Sequence, residues 1–125
     1  MKRVLAGLLL AATALGAQTT ELYYLVFLRP AAERKALPQA EMERIQTAHM
    51  ANIHSMADRG VLVAAGPFGD TPPTISGLFV FRTGSAEEAR RIASADPTVV
   101  EHRNTVEVLA WRGPKADWRR VLPAA

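Results

Sequence analysis

The stretch Leu22–Arg29, LYYLVFLR, is apolar on both of its faces. Successive side chains of a strand point to opposite sides. Tyr23, Leu25 and Phe27 therefore point one way, and Leu22, Tyr24, Val26 and Leu28 the other. In Gly77–Arg82, GLFVFR, Leu78 and Val80 alternate with Phe79 and Phe81 in the same manner. A strand of this kind needs cover on both sides of its sheet. Whatever fold the chain adopts must supply two apolar surfaces for one sheet.

The helical segments are too few to do so. Glu41–Arg59 reads as one helix, closed by Gly60 as its C-terminal glycine. A second begins at Ser85, where Ser85 and Glu88 have the spacing of a capping box. It ends near Ala95, because Asp96 precedes Pro97. Strands are expected at Leu22–Arg29, Val61–Ala65, Gly77–Arg82 and Asn104–Trp111, the last ended by Gly113-Pro114. The order β-α-β-β-α-β is that of the ferredoxin-like α+β fold, a four-stranded antiparallel sheet with both helices on one face. The other face is left for a second copy, so a homodimer of the dimeric α/β-barrel type is expected. The alternative is that the tail folds across it.

The chain's formal charge of +3 invites a nucleic-acid reading, but the charge is not evenly owned. Residues 1–17, MKRVLAGLLLAATALGA, have a basic start, a 12-residue apolar run from Val4 to Leu15 and small residues before Gln18. That is the pattern of a secretory signal peptide, and the run is too short to span a bilayer. Cleavage after Ala17 leaves 108 residues with 13 basic and 12 acidic side chains. We therefore expect no nucleic-acid partner, no membrane span in the mature chain, and a periplasmic or secreted location. The organisation expected is signal peptide 1–17, domain 18–112 and C-terminal tail 113–125, with Trp118 as the tail's large anchor.

The absence of cysteine excludes a disulfide framework, a thiol nucleophile and Cys-ligated zinc. No serine stands in a Gly-x-Ser-x-Gly elbow. Chemistry then falls to histidine. At about 100° per residue, Met42, Ile45, Ile53 and Met56 share one stripe of the first helix, and His49 falls at its middle. Asn52 reads as lying off the stripe, and His54 at its border. A buried imidazole requires a hydrogen-bond partner. Two carboxylates are candidates. Asp70 lies in the Gly- and Pro-rich loop after Gly66-Pro67, where it equally suits a turn. Asp96 could instead cap a short helical turn begun by Pro97. Either would fix the imidazole tautomer. His49 and His54 are not at the i, i+4 spacing of a helical metal pair, so no metal is expected.

These stretches resemble the YCII-related (YciI-like) proteins. Ala48-His49-Met50-Ala51-Asn52-Ile53, followed by Asp58-Arg59-Gly60 and Ala65-Gly66-Pro67, is similar to the family's central motif. Ala95-Asp96-Pro97-Thr98-Val99 resembles its Asp-Pro motif, and Glu107–Trp111 its closing strand. The resemblance spans about residues 22–112. It implies a ferredoxin-like dimer and a site centred on His49 and Asp96, with Asp70 as a second carboxylate. Glu101-His102-Arg103 departs from the family's small Ala-Gly-Arg type segment, which would set His102 against the pocket. The first functional reading is a cofactor-free enzyme using a His/Asp pair for proton transfer on a small molecule, an aromatic one among the candidates, of lyase or isomerase type. The alternatives are a non-catalytic periplasmic binding module and a structural dimer.

Overall fold

The computed structural model describes residues 19–115. The expected signal peptide and Trp118 lie outside the described residues. Four strands, β1 (Thr20–Pro30), β2 (Leu62–Pro67), β3 (Gly77–Phe81) and β4 (Asn104–Pro114), form one antiparallel sheet in the order β2-β3-β1-β4. The helices are α1 (Gln39–Asp58), α2 (Ala86–Ser94) and the single turn α3 (Pro97–Val100). This is the ferredoxin-like α+β arrangement expected from the order of elements. The first and last strands are longer than the sequence implied. Thr20 pairs with Pro114, so β4 runs through Gly113-Pro114 instead of stopping at Trp111. Pro114 is tolerated because β4 is an edge strand, where a missing N–H leaves no ladder partner wanting.

Local signals set the helix ends. After α1 the Gly60 N–H donates to the Ala57 carbonyl at 2.9 Å and the Val61 N–H to that of Met56 at 3.1 Å. The two bonds form a Schellman motif, and Gly60 takes the left-handed φ of 73° that it requires. At the start of α2 the Glu88 N–H donates to the Ser85 hydroxyl at 3.1 Å. Asp96 caps α3 by accepting the Thr98 N–H at 2.9 Å, with Pro97 in the first turn.

All three helices lie on one face of the sheet, α1 against β2 and α3, and α2 against β4 and β1. Tyr24, Val26 and Leu28 of β1 meet Phe79, Phe81, Met56 and Ala93 in the core. The opposite face is apolar, as the alternation predicted. Leu25, Phe27 and Leu78 are half-buried there, while Leu109 is 48% exposed and Trp111 37% exposed. No described helix covers them.

Candidate functional site

The site forms where α1, α3 and the sheet meet. His49 lies one turn from Ile45 on α1, with Ile45 sealed in the core and His49 at the core's edge. Its imidazole stacks on Phe79 of β3, ring centres 6.0 Å apart, and its side chain is 15% exposed. Asp96 is fully buried and is the partner that the imidazole needs. His49 Nδ1 stands 2.9 Å from both Asp96 carboxylate oxygens. Asp70 is exposed in the loop between β2 and β3 and does not line the pocket described below. The structure thus brings together two of the three residues expected from the sequence.

Asp96 accepts from more than His49. The Thr98 N–H and hydroxyl donate to Oδ1 at 2.9 and 2.6 Å, and the Asn52 amide donates to Oδ2 at 2.8 Å. With the imidazole N–H that makes four donors, which fills a carboxylate's acceptor capacity. Burial by itself would push the Asp96 carboxyl up. The hydrogen bonds from His49, Thr98 and Asn52, with the attraction of His49, outweigh it and hold the carboxyl below the ordinary carboxylate range. Asp96 is therefore a fixed anion. It has no lone pair left for a substrate, so it positions His49 and does not itself carry a proton. An ionised carboxylate only accepts, so the neutral imidazole keeps its proton on Nδ1. Nε2 is then the basic nitrogen, and it has no hydrogen-bond partner among the described residues.

The ring of His49 lines a cavity of about 350 Å³. Ile53 and Met50 of α1 form one wall, and Leu28 and Phe79 of the sheet the other. The lining is predominantly apolar and contains no Lys, Arg, Asp or Glu side chain. The polar residues in the lining are Gln46, His49, Ser76, Thr98 and Asn104. Within the lining, the Asn104 amide donates to the Thr98 hydroxyl at 3.0 Å, and the Ser76 hydroxyl donates to the Asn104 carbonyl oxygen at 2.8 Å. At the outer end Arg44 of α1 bonds Glu101 at 2.9 Å, tying α1 to the residue that follows α3.

Two readings of the sequence change. Asn52, read as off the apolar stripe, sits one turn from His49 and bonds the same carboxylate. Its i, i+3 spacing from His49 was the available signal. His102, expected to narrow the pocket, is exposed and does not line it. Its φ of 54° explains why glycine suits that turn: the left-handed region is costly for any residue with a Cβ. Ser76, Thr98 and Asn104 carry no marker in the sequence, since all three are ordinary turn and cap residues. Among the described residues no group of three His, Asp or Glu is placed to hold a metal ion.

Comparison with protein families finds a YCII-related domain over residues 23–112. No curated protein matches the chain. Among eight solved chains that do match is 5-chloro-2-hydroxyhydroquinone dehydrochlorinase from Burkholderia phenoliruptrix AC1100, in complex with 2,5-dihydroxybenzoquinone. It is 15% identical, with 75% of this chain and 95% of that chain covered and a TM-score of 0.48.

Proposed function

The chain belongs to the YCII-related domain family, and from that premise we propose that it is a cofactor-free enzyme whose general base is His49 Nε2. The observation that carries the reading is the pairing of His49 Nδ1 with a buried, fully hydrogen-bonded Asp96, at the edge of an apolar cavity. That pairing supports one movable proton. Nε2 takes a proton from a substrate carbon or hydroxyl, and the fixed anion stabilises the imidazolium that results. The electron pair left on the substrate expels a leaving group in a lyase, or shifts a double bond in an isomerase. In the second case the imidazolium returns the proton at a neighbouring atom. With a buried anion behind the imidazole and no cation in the lining, the cavity favours a neutral ligand of one-ring size over a carboxylate or phosphate.

The active unit in this proposal is a homodimer, the bare apolar face of one sheet packed on that of a second copy. The mature chain, freed of residues 1–17, would work in the periplasm or outside the cell. Mass spectrometry of protein from an exporting host would then find Gln18 or a close neighbour at its N-terminus.

The test of the site is a thermal-shift screen of neutral aromatic alcohols and of hydroxy acids, with wild type beside His49→Ala. The reading expects neutral hits that weaken at least tenfold in His49→Ala. Hits equally strong in both proteins would remove His49 from the site. A second reading, a non-catalytic binding module, is favoured by the capping of α3 by Asp96, a structural task that needs no chemistry. It expects the same hits but no turnover of any of them.

A further inference from the structure

The hydrogen bonds behind the cavity have a fixed direction, and the direction reaches the ligand. Asp96 is an acceptor only, so the 2.6 Å contact with Thr98 Oγ1 is a bond that the threonine hydroxyl donates. Having given its one proton to Asp96, Thr98 Oγ1 can only accept from Asn104, 3.0 Å away. The Asn104 amide must therefore turn its NH₂ to Thr98 and its oxygen to Ser76. That oxygen can only accept, so the Ser76 hydroxyl must donate to it across 2.8 Å. At the end of the chain stands Ser76, one of the residues that line the cavity, with its hydroxyl proton already spent. Asn104 and Thr98 are 9% and 7% exposed, so little of either is open to water. The charge of a buried carboxylate, relayed through two residues, thus sets the polarity of a third.

We propose that Ser76 is a specificity residue that accepts a hydrogen bond from the ligand, so that the preferred substrate carries a hydroxyl or N–H at the Ser76 side of the cavity. This donor is separate from the group that gives its proton to His49. An ether, ketone or carboxylate oxygen at that place would set lone pair against lone pair and leave Ser76 unpaired. A bound donor completes the chain. A site that reads a donor in this way discriminates more sharply than apolar walls, because the wrong ligand leaves a desolvated polar atom without a partner. The inference rests on the cavity being the ligand site proposed above.

Three one-ring probes separate the requirements: resorcinol with two donors, 3-methoxyphenol with one, and 1,3-dimethoxybenzene with none. Dissociation constants are measured by NMR titration of wild type and Ser76→Ala. In wild type, resorcinol should bind about tenfold more tightly than 3-methoxyphenol, the worth of one hydrogen bond. In Ser76→Ala that advantage should vanish, while 3-methoxyphenol keeps its wild-type affinity. Equal binding of the two probes by wild type, or an advantage that survives in Ser76→Ala, overturns the proposal. Neutron diffraction from deuterium-exchanged crystals reads the Ser76 deuteron without any ligand. It should point at the Asn104 oxygen; a deuteron pointing into the cavity overturns the proposal independently. If the deuteron points at Asn104 but wild type binds none of the probes, the ligand-site reading fails, and the donor requirement fails with it.

Discussion

The two faces of the sheet are built from the same residue types and do different work. On the helix side, Tyr24, Val26, Leu28, Phe79 and Phe81 are buried, and one line of polar groups from His49 to Ser76 runs beside them. On the other side Leu25, Phe27, Leu78, Leu109 and Trp111 form an apolar surface flanked by charged groups. Those groups pair with each other, Arg29 with Glu107 at 2.6 Å and Arg82 with Glu21 at 2.9 Å. The contrast lies in the hydrogen bonds. On the helix side the polar groups are joined into one chain that ends at a cavity; on the other side they form partly exposed ion pairs, each contributing ~0–1 kcal/mol, with the Tyr23 hydroxyl donating to Glu21. A buried chain has a direction and can select a ligand. A bare apolar face has only area, and suits association.

The largest effect should come from breaking the buried chain at its anion. Asp96→Ala strips the partner from the imidazole, the Asn52 amide and both donors of Thr98. A loss of about 3 kcal/mol in urea unfolding is expected, with loss of ligand binding. A change under 1 kcal/mol would mean that water replaces the carboxylate and that the chain is not buried in solution. Next in size, Leu109→Arg should abolish the proposed dimer in light scattering and leave ligand binding at the cavity nearly unchanged. A wild-type protein that is monomeric at high concentration would end the association half of the comparison.

The pH dependence gives a smaller, signed effect. The Asp96 carboxyl titrates lower in the folded protein than its ordinary value of 3.8. Its contribution is therefore fully present above that value and is lost as pH falls below it through the folded value. The stability gap between wild type and Asp96→Asn should narrow as the pH falls below about 4, where the carboxyl begins to take up its proton. A gap that widens there would have the wrong sign. The smallest effect is expected at Asp70, exposed in its loop: Asp70→Asn should leave stability within about 0.5 kcal/mol and ligand binding unaltered.

Much of this contrast was legible before the fold. Alternation in Leu22–Leu28 and Leu78–Phe81 announces a sheet apolar on both faces. Gly60, Ser85 and Asp96-Pro97 mark helix ends by local chemistry, and each does what its type predicts. His49 stands out because it interrupts an apolar stripe. The choice between Asp70 and Asp96 was not legible from local chemistry, since it depends on how α3 packs on α1 across 47 residues of chain; only the family resemblance put Asp96 first. Both functions weighed for Asp96 prove compatible: one oxygen caps α3 and also faces the imidazole. Ser76, Thr98 and Asn104 were invisible for a related reason. Their importance lies in the order of their protons, which only the three-dimensional chain defines.

The central claim is that Asp96 holds the imidazole of His49 with its proton on Nδ1 and offers Nε2 to the cavity. Nitrogen-15 NMR of histidine-labelled protein, at a pH where His49 is neutral, reads this directly. The account predicts a protonated, pyrrole-type Nδ1 and an unprotonated, pyridine-type Nε2, with the proton on Nδ1 lost as the preferred form in Asp96→Asn. A protonated Nε2 in the wild-type protein would contradict it.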